Sequence, residues 1–233
     1  LDIHGYINPD FNSAFFRSMT EEQKRAIRLE STRALWDPTY EVPGSGFKEK
    51  PRFIPRMHEW VNRNYPGTKL AMTEYNWGAL DQLNGALTLA DILGIFGRER
   101  LDLATIWYPP KPDDPGAFAF RIYRNYDGRG GMFGDVAVLA NSTDQSRLAI
   151  YAARRSSDHA LIMIIINKTT SDLTSQVQLS GISFSGKAQV YRYSSANLKA
   201  IVREADQDLT PTGFTATFPA YSITMMVASV SEY

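Results

Sequence analysis

The sequence predicts an α/β portion followed by an all-β portion: an incomplete (β/α)8 barrel over 1–131, then an antiparallel β-sandwich over 132–233. Three observations lead there. Short apolar runs alternate with helically spaced apolar positions through the first half. After Gly128-Arg129-Gly130-Gly131 the chain changes to short β-branched segments separated by turn residues. Finally, a closed barrel needs roughly 250 residues, about twice the α/β stretch. Three parallel strands cannot close a barrel, so this reading requires strands from elsewhere: a missing N-terminal segment, or a companion polypeptide from a nicked chain. The start of the chain, Leu1-Asp2-Ile3 without a Met, reads as the middle of a strand and agrees with that expectation.

Residues 1–6 form the first expected strand. Thr20-Glu21-Glu22-Gln23 has capping-box form, with Thr20 as N-cap and Gln23 at N3, and opens a helix expected to reach about Leu35. Pro38, Pro43, Gly44, Gly46 and Pro51 mark a long loop. A helix follows over 54–64 and stops at Pro66-Gly67. Residues 69–74 make the second strand. Leu83, Ala86, Leu87, Ala90 and Leu93 then recur at helical spacing. A third strand over 101–107 closes at Pro109-Pro110, and a helix over 118–126 ends at Asp127-Gly128. Strand–helix units in series imply parallel strands. The second half reads as strands over 136–140, 148–153, 160–167, 173–179, 187–193, 201–203, 213–218 and 222–229.

Lys+Arg and Asp+Glu are both 25, a balance that offers no electrostatic footprint for nucleic acid and no polybasic membrane patch. The absence of cysteine excludes disulfides, thiolate metal sites and a catalytic Cys. With only His4, His58 and His159, a histidine-rich metal centre is not expected. No apolar run is long enough for a membrane-spanning helix. The glycines at 128–131 lack the strand–loop–helix setting and the Gly-Lys-Ser/Thr ending of a phosphate loop, and read as an interdomain turn.

The main chemical signal is Thr73-Glu74-Tyr75-Asn76-Trp77-Gly78, which follows the apolar Leu70-Ala71-Met72 and precedes a helix. Glu74 is thereby placed at the C-terminal end of a parallel strand, where barrels of this kind carry catalytic groups. A carboxylate beside ring side chains suits sugar chemistry: Tyr75 and Trp77 can stack on pyranose faces while Glu74 attacks or stabilises an anomeric carbon. A Glu that merely caps a helix or pairs with Arg is the plain alternative. Asp2, His4 and Tyr6 alternate onto one face of the first strand, so His4 and Tyr6 can hydrogen-bond the carboxylate; for His4 a satisfied core histidine is an equal alternative. Trp107 and Tyr108 close the third strand as candidate floor residues of a sugar subsite. Trp36 and Tyr40 either extend the cleft or form the loop's own small core. Retaining hydrolysis needs a second carboxyl roughly 5–5.5 Å from the first. Asp2 and Asp102 are badly placed for that, so the acid/base is expected outside these residues.

These stretches carry a resemblance. Asp2-Ile3-His4-Gly5-Tyr6, Thr32-Arg33-Ala34-Leu35-Trp36-Asp37-Pro38-Thr39-Tyr40, the segment from Pro66 to Gly78, and Ala104-Thr105-Ile106-Trp107-Tyr108-Pro109-Pro110 resemble glycoside hydrolase family 44. The family consists of endoglucanases acting on β-1,4-glucans and, in some members, xylan or xyloglucan. The resemblance implies a (β/α)8 barrel plus β-sandwich, with the three strands as the barrel's last three. It implies retaining hydrolysis with Glu74 as nucleophile. The family's acid/base Glu, in an Asn-Glu-Pro context, has no counterpart in this sequence. Family members can carry structural Ca²⁺; no ligand cluster assigns a metal here, and no cofactor is required. The expected partners are a β-1,4-glucan and the N-terminal segment, and the expected location is extracellular. The rival readings are a sister retaining hydrolase, such as an arabinofuranosidase or xylosidase, and a carbohydrate-binding module stacking sugars on Tyr151, Tyr191, Tyr193 and Tyr221.

Overall fold

The computed structural model describes residues 1–6, 14–44, 50–181 and 186–229. It is a mixed helix/sheet fold. Strands β1 (Asp2–Gly5), β2 (Ala71–Tyr75) and β3 (Leu103–Ile106) form a parallel sheet in the order β1-β2-β3. Between β1 and β2 lie α1 (Ala14–Arg17), α2 (Glu21–Glu30), a 3₁₀ turn (Ser31–Leu35) and α3 (Phe53–Asn64). Helix α4 (Leu83–Arg98) links β2 to β3, and α5 (Pro115–Arg124) follows β3.

Local chemistry sets these ends. The capping box at Thr20 and Gln23 is present in both directions. The helix expected to run to Leu35 tightens instead into 3₁₀ at Ser31. There the hydroxyls of Ser31 and Thr32 donate to the carbonyls of Arg28 and Leu29, competing with the α-helical ladder. Pro55 sits in the first turn of α3, where its missing N–H costs nothing. Pro115 opens α5 behind Asp114, so that helix starts three residues before the expected Phe118.

The second half contains β4 (Val136–Val138), β5 (Leu148–Arg154), β6 (Leu161–Asn167), β7 (Leu173–Gln178), β8 (Gly186–Ser194), β9 (Asn197–Leu209), β10 (Gly213–Phe218) and β11 (Ser222–Ala228). Six of them make an antiparallel sheet ordered β4-β5-β6-β11-β8-β9, and β10 pairs with β7. β6 and β11 are buried along their whole lengths because both of their faces are covered. One face, through Ile162, Ile164 and Ile166, joins the core of α4 and α5. The other, through Leu161, Met163 and Ile165, packs with Phe214 and Phe218 of β10. β9 is far longer than the expected 201–203. It is an edge strand whose outward Lys199, Arg203, Asp206 and Asp208 conceal the apolar alternation and discourage further pairing.

The two halves share one core. Tyr193 stacks on Phe118 with ring centroids 4.8 Å apart. A Cβ at Gly94 of α4 would lie 2.3 Å from the Tyr151 ring, so glycine permits that close approach. Asp91 of α4 is buried against Lys168, at 2.9 Å, across this junction. Among the described residues no helix is long and apolar enough to cross a membrane.

Candidate functional site

The helices cover one face of the parallel sheet, through Met72, Tyr75 and Ile106. The opposite face is open and displays Asp2, His4 and Tyr6 of the first strand, and Leu103 and Thr105 of the third. Glu74 emerges on this open face near the C-terminal end of β2. Its Oε2 accepts from the Tyr6 hydroxyl at 3.1 Å and lies 3.2 Å from His4 Nδ1. His4 is the direct cross-strand partner of Glu74. Among the described residues, Oε1 accepts no hydrogen bond. Glu74 thus presents one anchored oxygen and one available oxygen.

The Tyr6 phenol is held above its ordinary pKa. Burial contributes most, followed by its hydrogen bond to Glu74, the Glu74 charge and the nearby Tyr108. Tyr6 therefore remains a donor to Glu74 throughout the neutral range.

Trp107 and Tyr108 sit at the end of β3, exposed at 51% and 65%, with their rings edge-to-face at 5.9 Å. The Trp107 amide donates to the Tyr75 carbonyl, which fixes this pair beside β2. Trp107, Tyr108, Tyr6 and His4 therefore share a strand-end neighbourhood with Glu74.

Four sequence candidates lie elsewhere. Tyr75 points into the helix-covered core, edge-on to Phe96 at 5.1 Å, and cannot stack on a sugar at the open face. Trp77 is 3% exposed; its Nε1 donates to Ser31 Oγ, and its carbonyl accepts from Arg28 Nε. It anchors the loop after β2 to α2. That loop turns through Asn76, whose Oδ1 accepts from the Gly78 amide, with Gly78 at φ +71. Trp36 packs under the Arg98 guanidinium at 4.3 Å. Arg98 closes α4, and a helix of this length spans about 24 Å from end to end, which carries its last turn towards the other end of the strands. Tyr40 is likewise buried, with Arg33 over its ring, and belongs to the loop's own core.

The tyrosines of the binding-module reading also face inward. Tyr151 and Tyr193 are buried, Tyr191 tilts onto Tyr126 at 4.7 Å, and Tyr221 packs against the shared core. They offer no sugar-stacking platform. For the structural metal, no group of three or more His, Asp or Glu side chains gathers among the described residues.

Sequence reasoning missed Thr73 and Thr105. Thr73 Oγ1 donates to Asp2 Oδ1 at 2.7 Å, and Thr105 Oγ1 donates to the Thr73 carbonyl. A signal was available: Met72 and Tyr75 are both apolar yet three residues apart, a spacing that simple strand alternation does not give.

No family model matches the chain. Endoglucanase A of Paenibacillus lautus is 31% identical over 229 residues, covering 95% of this chain and 33% of that protein. CelM2, a bifunctional glucanase-xylanase from a metagenome library, superposes with a TM-score of 0.86 at 40% identity, over 92% of this chain and 41% of that one. A Paenibacillus polymyxa xyloglucanase from family 44, solved with xyloglucan, gives 0.85 at 26% identity, over 99% of this chain and 46% of that one. The chain therefore spans less than half the length of each of these relatives. Similarity of this extent, with family 44 structures matched at TM-scores of 0.82 to 0.88, places the chain in glycoside hydrolase family 44.

Proposed function

We propose that this chain is part of a secreted, retaining endo-β-1,4-glucanase in which Glu74 is the nucleophile. The observation that carries this reading is the asymmetric anchoring of Glu74: Oε2 is held by Tyr6 and His4, while Oε1 accepts nothing among the described residues. A carboxylate so held is oriented to attack an anomeric carbon through its free oxygen. Trp107 and Tyr108 form the platform on which a pyranose ring stacks.

In this reading the parallel strands are the last three of a (β/α)8 barrel. The remaining strands come from the part of the relatives' length that this chain does not span. That part also supplies the carboxylic acid that protonates the departing glycosidic oxygen and then activates water to release the glycosyl-enzyme. The substrate is β-1,4-glucan, with xylan or xyloglucan as further polymers, as the names of the relatives suggest. A polymer of this kind is met outside the cell.

The test is reducing-sugar release from soluble β-1,4-glucan by the full-length protein and its Glu74→Gln variant. The variant is expected to lose about a thousandfold or more in kcat. Unchanged turnover would remove Glu74 from the reaction.

A further inference from the structure

We propose that Asp2 is a positioning residue that sets the aim of Glu74 by clamping a bulge in β2 at Thr73. This rests on the reading of Glu74 given above.

The bulge appears in the pairing on both sides of β2. Towards β1, Ile3 pairs with Met72 and His4 with Glu74, so Thr73 has no partner. Towards β3, Met72 pairs with Ala104 and Tyr75 with Ile106, so Thr73 and Glu74 together oppose Thr105 alone. One extra residue is thus inserted into a central parallel strand, an uncommon event that re-aims side chains. Its effect is visible in burial. Met72 and Tyr75, 0% and 2% exposed, both face the helices, whereas strict alternation would put them on opposite faces. Without the inserted residue, a strand with Met72 inward would turn Glu74 inward as well, away from His4 and Tyr6.

A bulge needs an anchor, because its residue leaves the regular ladder. Thr73 is held from both neighbouring strands. Its hydroxyl donates to Asp2 Oδ1 at 2.7 Å, and its carbonyl accepts from Thr105 Oγ1. Asp2 lies two residues before His4, on the same face of β1. The Asp2 carboxyl sits below its ordinary pKa, chiefly through the Thr73 hydroxyl, and so remains an acceptor. β1 therefore grips β2 twice: Asp2 fixes the bulge, and His4 meets the carboxylate that the bulge delivers. Loss of the lower grip lets Glu74 shift, and a displacement of about 1 Å at a reacting group costs on the order of 10²-fold in rate.

The experiment measures kcat and KM on soluble β-1,4-glucan for Asp2→Ala, Asp2→Asn, Thr73→Val, Thr73→Ser and the Asp2→Ala/Thr73→Val pair in the full-length protein. Asp2→Ala and Thr73→Val are each expected to lower kcat about 10- to 100-fold with KM little changed, the range seen when a supporting shell is lost. Asn keeps an acceptor oxygen and Ser keeps the hydroxyl, so both should recover most of the rate. The double variant should be no worse than either single, because both remove one contact. Additive losses, an Asn variant as poor as Ala, full activity in Asp2→Ala, or failure of both Ala and Val variants to fold would each overturn the proposal. Glu74→Gln is assayed alongside. If it stays active the nucleophile reading fails, and if it alone is inactive only the role of Asp2 fails.

Discussion

Glu74 and Asp91 are two carboxylates with similar company and opposite circumstances. Each accepts from a tyrosine, and each faces a nitrogen base: Tyr6 and His4 for Glu74, Tyr151 and Lys168 for Asp91. Asp91 is 1% exposed and both its oxygens are occupied, Oδ1 by Tyr151 at 2.7 Å and Oδ2 by Thr32 and Lys168 at 2.7 and 2.9 Å. The Glu74 side chain is 24% exposed and, among the described residues, only Oε2 is engaged. Partner chemistry therefore does not separate these two carboxylates. Saturation and access do. Asp91 ties α4 to the antiparallel sheet and has no oxygen left to use, whereas Glu74 has one left and an open face in front of it.

This contrast makes opposite forecasts for matched substitutions. Glu74→Gln should abolish turnover yet leave stability within about 0.5 kcal/mol, the usual range for a substitution outside the core. Lys168→Ala should lower unfolding free energy by about 3–5 kcal/mol, because it strands the Asp91 charge in the interior. Urea unfolding and glucan hydrolysis on both variants measure the pair. A marginal stability loss in Lys168→Ala would show that Thr32 and Tyr151 satisfy Asp91 without the lysine. The tyrosines sharpen the comparison further. Tyr151→Phe leaves Asp91 Oδ1 buried without a donor and should cost about 1–3 kcal/mol of stability. Tyr6→Phe should instead reduce kcat about 10- to 100-fold, with stability nearly unchanged. The same lost hydroxyl would then read out as unfolding in one place and as rate in the other. Gly94→Ala pushes a methyl into the Tyr151 ring and should cost about 1–3 kcal/mol by overpacking the same junction.

The legible parts of the fold were those written in local sequence. The box at Thr20 and Gln23, the strand over 213–218 and the alternation of Asp2, His4 and Tyr6 each need only a few adjacent residues, and each appears as expected. What failed depended on distance or register. Tyr75 and Trp77 flank Glu74 in sequence, but the bulge at Thr73 turns Tyr75 into the core, and Ser31, 46 positions away, claims the Trp77 indole. Trp36 reads as a loop aromatic until Arg98 places it near the other end of α4. Asp91 carries no local signal within an apolar helix, because its partners lie 59, 60 and 77 residues away. A one-dimensional pattern records that a ring or a carboxylate is present, and long-range packing decides which way it faces.

A third carboxylate, Asp37, tests saturation without catalysis or a buried lysine. Oδ1 accepts from the Thr39 amide and hydroxyl, both at 2.7 Å, and Oδ2 from Arg33 Nε at 2.8 Å. Burial pushes this carboxyl upward, but the bonds from Thr39 and Arg33 outweigh it and hold the group below the usual carboxylate range. A depressed folded-state pKa stabilises the fold above the unfolded value of about 3.9, and that contribution disappears as pH falls through the folded value. Asp37→Asn should therefore cost about 1–2 kcal/mol at pH 7, the order of a hydrogen bond to a charged group. The difference should begin to shrink below the unfolded value of about 3.9, where the unfolded chain takes up a proton, and should vanish only as pH falls through the lower folded value. Thermal unfolding of both proteins between pH 3 and pH 7 measures it. A difference that stays constant across that window would mean that the geometry around Asp37, rather than its charge, holds the loop, and would confine the electrostatic side of the comparison to Asp91.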